Sequence, residues 1–287
     1  MRKVGLVTWV CGLAALLAAA PAQAAFPGVA GPIAYSHVLI GEGIDTGGLL
    51  AHGPRKRDAP VQLTESPTDN SPSYSPNGRL IVFAGNHDPG LAPQGSHIYL
   101  MKRDGSGVKQ LTSSSFYDSN PSFSPNGKLV VFDRGGLQGR ATQIFSVSLD
   151  GSSLRAITDE SGSDSDPTFT PNGKRIVFVS NRMTSGIAFS GNRDHGPNLF
   201  AAKINGKHVR ELTHSRHDCF GSACYTNPSW SPDGKHIAFL SSGRFSSDIA
   251  VMRVDGRGVT KEFDTGGTEE EGFGSHVGAP GWGSRPR

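Results

Sequence analysis

Hydrophobic residues, cysteine and net charge are all in short supply in this chain. Only 36% of its 287 residues are hydrophobic, against roughly 45–50% in ordinary globular domains, which argues against a helix-rich enzyme core. Charged residues amount to 18% and are mixed in sign. With apolar and aromatic residues gathered in short clusters, the chain stays clear of the disordered class. The formal charge is +3, and Arg2 and Lys3 supply part of it from the extreme amino terminus. Nothing in this balance calls for nucleic acid or for an anionic membrane surface. No Gly-x-Ser-x-Gly elbow is present, so the strand-to-helix nucleophile of many hydrolases is missing.

The one long apolar run is Val4 to Ala20, between a basic start and the small-residue pattern Ala22-Gln23-Ala24. That is the form of a secretory signal peptide over residues 1–24, cut before Ala25. The run is short for a membrane anchor, which needs about 20 predominantly apolar residues, so no membrane span is expected after cleavage. A short linker, 25–30, then leads into a single domain over 31–287. Export implies a secreted or periplasmic protein in an oxidising compartment. There Cys219 and Cys224 form a short disulfide staple in preference to free thiols, and so small a loop stabilises only locally.

Gly and Pro are plentiful, at 38 and 19 residues, and they recur in register. Residues 70–83, 119–132, 165–178 and 226–239 share one pattern: a polar residue, Pro, Ser or Thr, an aromatic, Ser or Thr, Pro, Asn or Asp, Gly, then an apolar strand ending in Phe. Each copy continues with a second apolar strand, as in His97–Met101 and Gln143–Val147, and a turn at Asp104-Gly105, Asp150-Gly151, Asn205-Gly206 or Asp255-Gly256. Three copies end in Leu111-Thr112, Ile157-Thr158 and Leu212-Thr213. Asn-Gly and Asp-Gly accept positive φ at both central positions of a hairpin turn, and the preceding Pro76, Pro125, Pro171 and Pro232 end the strand before it. Each unit therefore reads as a four-stranded antiparallel meander of about 50 residues, the size of a propeller blade. Pro32–Ser36, Gly48–His52 and Val61–Thr64 resemble the second to fourth strands of a further blade, and Val277–Gly283 resembles a first strand. The expected fold is all-β: a five-bladed β-propeller closed by pairing of the C-terminal strand with the N-terminal blade, with six blades as the alternative.

The pattern Pro-x-aromatic-Ser-Pro-Asn/Asp-Gly-Lys-x-Ile-Ala/Val-Phe resembles the TolB-type propeller repeat and covers about residues 31–284. The resemblance implies the propeller fold and an envelope setting of the kind in which TolB binds lipoprotein and Tol partners. Similar blades occur in peptidase propeller domains and in some lyases. TolB carries an α/β domain before a six-bladed propeller, whereas here the repeat begins within about ten residues of the expected cleavage site.

In such a blade the first and third turns share one rim, and the second-to-third loops and blade crossings share the other. The long insertions fall on the second rim: 85–96, 133–142, 180–197 and 241–247, with crossings 113–120, 159–166, 214–227 and 264–276. Loops on a rigid scaffold carry function, so the candidate binding residues lie here: Tyr117, Arg182, Arg193, Asp194, His195, His217, Phe220 and Tyr225. Aromatics beside Arg are typical of binding hot spots, although solvated loops and interblade packing use the same residues. His214, His217, Asp218 and Cys219 could suit Zn²⁺, and a solvated loop explains them as well. Asp69, Asp118 and Asp164 stand three positions before the repeat's first Pro, and Asp166 stands one before. Superposed blades would turn these carboxylates toward one another at the channel mouth, where Ca²⁺ takes oxygen ligands, and backbone capping is the competing use. Tyr74, Phe123, Phe169 and Trp230, with Phe83, Phe132, Phe178 and Phe239, fall at period two and belong to the interblade core. With no catalytic set in view, the reading is an exported monomeric module that binds a protein or cell-envelope component. The alternative is a metal-dependent lyase or hydrolase at the channel mouth.

Overall fold

The computed structural model describes residues 32–39, 46–53, 59–87, 95–135, 141–182, 198–214, 224–231, 233–242 and 247–263. Its smallest repeated unit is a turn built by its own side chains. Gly78 N–H donates to Ser75 O at 2.8 Å, and the same bond joins Gly127 to Ser124, Gly173 to Thr170 and Gly234 to Ser231. The Ser75 hydroxyl donates to Asn77 Oδ1 at 2.9 Å and accepts from Leu80 N–H at 2.9 Å. Ser124, Thr170 and Ser231 repeat this. Only the Gly of each turn has positive φ, +65° to +67°. This corrects the expected hairpin turn with two positive-φ residues. Pro holds φ near −65°, so Pro-Asn or Pro-Asp becomes the centre of a type I turn and Gly takes the left-handed position after it.

Among the described residues these turns and the longer loops join nineteen strands in five sheets. Strands β1 (Ile33–Leu39), β2 (Thr46–His52) and β3 (Val61–Gln62) form a three-stranded sheet. Four blades follow, each an antiparallel meander. The first is β4 (Asn70–Tyr74), β5 (Leu80–Gly85), β6 (His97–Lys102) and β7 (Lys109–Gln110). The second is β8 (Tyr117–Phe123), β9 (Leu129–Gly135), β10 (Gln143–Ser148) and β11 (Arg155–Ala156). The third is β12 (Asp164–Phe169), β13 (Arg175–Ser180), β14 (Asn198–Lys203) and β15 (Arg210–Glu211), and the fourth is β16 (Cys224–Trp230), β17 (His236–Ser242), β18 (Ser247–Arg253) and β19 (Thr260–Phe263). The protein is a five-bladed β-propeller. The expected closing strand, 277–283, lies outside the described residues, as do the expected signal peptide and linker.

The Leu-Thr and Ile-Thr endings have a structural reason. Thr64, Thr112, Thr158 and Thr213 each accept through Oγ1 from the third-strand N–H of Leu49, Ile98, Ile144 and Leu199, at 2.9–3.0 Å. The side chain thus continues the ladder where the short fourth strand ends. The apolar residue beside it enters a core lying between blades. Val82, Ala84, Ile98 and Leu111 of the first four-stranded blade pack against Phe123, Val130, Phe132 and Val147 of the next. Three further clusters repeat the arrangement. Phe83, Phe132, Phe178 and Phe239 are fully buried, Phe123, Phe169 and Trp230 nearly so, and Tyr74 is partly buried against its cluster. The Asp-Gly and Asn-Gly turns seat each blade on its predecessor. A Cβ on Gly105 would fall 2.5 Å from Leu63 O, and Gly206 and Gly256 press in the same way on Ile157 O and Leu212 O.

Candidate functional site

On the long-loop rim of the first three four-stranded blades, a buried acid at the start of the innermost strand faces a cation-capable side chain of its own blade. Arg134 donates to Asp118 through Nε and Nη2 at 2.6 and 2.8 Å. His87 Nε2 lies 2.7 Å from Asp69 Oδ1, and Arg182 Nη2 donates to Asp164 Oδ2. The second side of each cationic group rests on aromatics. The Arg134 guanidinium is 5.4 Å from the Phe132 ring and 4.9 Å from Phe145, Arg182 covers Phe178 and Phe200, and the His87 ring stacks on Tyr99 at 4.5 Å. Burial pushes the Asp69 and Asp164 carboxyls above the usual range, against the opposing pull of their partners. In the last blade Tyr225 stands where the acid would be and meets Phe239 edge-on at 5.3 Å.

Deeper in the ring the inner strands carry a second repeated feature. Each bears a bulge, and the residue before the repeat's Pro sits in the left-handed region: Ser71, Asn120, Asp166 and Asn227, with φ of 49–51°. Asn and Asp tolerate this conformation best. The bulge links these residues from blade to blade. Ser71 Oγ donates to Asn120 Oδ1 at 3.1 Å, and Asn227 N–H donates to the Asp166 carboxylate. Asn120 Nδ2 donates to Asp133 Oδ2 at 3.2 Å. Asp133 is the anomaly. It occupies a position on β9 that Ala84, Val179 and Leu240 fill in the other blades, it is only 5% exposed, and its Oδ1, like Asp69 Oδ2 and Asp164 Oδ1, is buried with no hydrogen-bond partner among the described residues. Burial, reinforced by the charge on Asp166, pushes the Asp133 carboxyl up to about 7, and burial alone pushes Asp166 up to about 6.

The structure therefore divides the acids that the sequence groups together. Asp69, Asp118 and Asp164 do not face one another, because each is drawn to a basic or imidazole group on or just beyond the neighbouring strand of its own blade, and none is turned to a shared ion. Among the described residues no group of three or more His, Cys, Asp or Glu is arranged to hold a metal ion. Asp166 does act through its charge on a second carboxylate, that of Asp133. Arg182 is almost buried and committed to Asp164 and Asp159. Tyr117 is 40% exposed at the start of β8. Arg193, Asp194, His195, His217, Phe220 and Cys219 lie outside the described residues. The signal for Asp133 was present in the sequence as a carboxylate interrupting an apolar register.

Residues 134–272 match the TolB beta propeller domain. Among curated proteins nothing matches the chain. The putative TolB from Agrobacterium tumefaciens superposes with a TM-score of 0.62 at 20% identity, over 85% of this chain and 80% of that one. TolB from Acinetobacter baumannii superposes at 0.61 and 22% identity over 83% of this chain, which spans about half, 52%, of that protein. Oligogalacturonate lyase from Vibrio parahaemolyticus superposes at 0.56 and 13% identity, covering 88% and 68%. These likenesses are likenesses of fold.

Proposed function

We propose that this TolB-like β-propeller is an exported binding module whose long-loop rim recognises a protein or cell-envelope component and whose inner ring takes a cation at Asp133 and Asp166. The observation that carries this reading is Asp133 itself, a buried acid in an aliphatic register with one oxygen unpartnered among the described residues. A buried carboxylate without full hydrogen bonding costs several kcal/mol, and three sister blades show that an aliphatic side chain serves the packing at that point. Retaining an acid there, beside a second acid, suits a site that is complete only when a positive group arrives. Ca²⁺ fits, since it takes oxygen ligands from carboxylates and supplements them with water. So does the ammonium or guanidinium of a partner side chain. The signal peptide, the Cys219–Cys224 staple and ring closure by 277–283 belong to the same reading.

Calorimetric titration of the purified protein with CaCl₂ tests it, alongside Asp133→Asn and capture of envelope proteins on immobilised protein. Binding of Ca²⁺ lost in the variant identifies a metal ion as the cation. Absence of Ca²⁺ binding, with capture of a partner that the variant no longer retains, identifies a partner side chain. If neither Ca²⁺ nor any captured protein responds to Asp133→Asn, the cation site is refuted.

A further inference from the structure

The opposite rim, formed by the short turns, carries an unexplained arrangement of exposed side chains. Val108, Leu154, Val209 and Val259 occupy the same place in four successive blades, just before the fourth strand, and are 44%, 43%, 38% and 49% exposed. The residue preceding each one, Gly107, Ser153, His208 or Gly258, has φ between 56° and 68°. Ser and His adopt that conformation only at a cost, so this backbone presentation is kept even in the two blades that lack Gly there. Isolated exposed aliphatics need no explanation. A ring of them in one register does.

The aliphatic ring is set among cations. Lys109, Arg155 and Arg210 follow three of its members directly, and each reaches across to a carbonyl of the next blade, at Asp150, Ile204 and Val254. The first turns add exposed Arg79, Lys128, Lys174 and Lys235 to the same rim. Backbone bonds join the two sets of turns, Arg103 N to Arg79 O at 3.0 Å and Val254 N to Lys235 O at 3.2 Å. The acids on this rim are engaged in their own turns: Asp104 and Asp150 accept from Ser106 and Ser152, and Asp233 and Asp255 from the N–H groups of Lys235 and Arg257. The seven Lys and Arg side chains just named outnumber these four acids, so this rim is net basic within a whole-chain charge of only +3.

We propose that the short-turn rim docks on an anionic lipid surface, with Val108, Leu154, Val209 and Val259 entering the headgroup boundary and the Lys and Arg ring lying on the phosphates. Interfacial binding combines apolar burial with attraction to anionic lipid, and both components are here, on the turns of one rim. A soluble polyanion would use the cations and leave the aliphatics in water. A second copy of the chain would bring like charges face to face. The inference is independent of the Asp133 site, which lies on the inner strands.

Flotation of the purified protein with vesicles decides the matter. We expect retention on vesicles of phosphatidylcholine mixed with phosphatidylglycerol, none on phosphatidylcholine alone, and release as salt screens the cations. The variant Val108→Ser/Leu154→Ser/Val209→Ser/Val259→Ser should bind mixed vesicles at least about tenfold more weakly, with an unchanged melting profile. Lys128→Glu/Lys174→Glu/Lys235→Glu should abolish retention. If the fourfold variant melts early, Leu154→Ser alone should still weaken retention by about two- to threefold. Equal retention on both vesicle types, no retention on either, or full retention by the serine variants would overturn the proposal. So would a rim that binds dextran sulfate as readily after the serine substitutions and never binds vesicles.

Discussion

Asp133 is the residue at which stability and function diverge. Its carboxyl holds a proton more tightly in the folded chain, at about 7, than the value of 3.8 expected without burial. Protonation therefore stabilises the native state in full below the unfolded value, and that contribution is lost as pH rises through about 7. Asn mimics the protonated form at every pH. In the absence of added cations, Asp133→Asn should be more stable than the parent at about pH 8, by about 4 kcal/mol, and close to it at about pH 4, as read by urea denaturation. The Asp118–Arg134 pair makes a different prediction. Both side chains are nearly buried, so Asp118→Asn or Arg134→Met alone should cost about 3–5 kcal/mol, while the two together should cost much less than the sum. A double-mutant cycle on urea midpoints gives the coupling. None of this pairing was legible from residue types. Asp118 looks like Asp166 in the sequence, and only the fold shows that one reaches an Arg on the neighbouring strand while the other sits beside an acid of the preceding blade.

At the scale of the element, the turns separate two uses of glycine. Gly78 has φ of +65° with open space at its Cβ, whereas Gly206 has φ of +79° and a Cβ there would collide with Ile157 O. Gly78→Ala should cost only the left-handed penalty, about 1 kcal/mol. Gly206→Ala should cost distinctly more, because the blades must also part. Thermal melts of the two variants test the difference. The strand pattern, the interblade phenylalanines and the capping threonines were all readable because each repeats, and repetition multiplies a weak local signal. The turn type differs from the two-residue hairpin expected of Asn-Gly, since the proline before it sits inside the turn and leaves only Gly at positive φ. Asp133 is the opposite case: it occurs in a single blade, where no repetition marks it.

For the whole molecule, the described part of the ring is a row of nearest-neighbour contacts, each blade seated on the one before through an apolar cluster, a turn glycine and a bond from a fourth-strand cation. The first sheet has three described strands, and β1 is the one that awaits a partner on its inner side. Removing residues 277–287 should lower the melting temperature by several degrees and promote aggregation through an unpaired edge, measured by calorimetry and light scattering. An unchanged melting temperature would count against closure by that segment. Charge follows the same architecture, since short turns collect lysine and arginine on one face while the paired acids stay near the other. Because Gly105, Gly206 and Gly256 meet the preceding blade at backbone atoms, this one contact is indifferent to the side chains of its neighbour. A gene duplication that inserted one more blade would inherit it on both sides, leaving only the apolar clusters to be refitted as descent changes the circumference of such a ring.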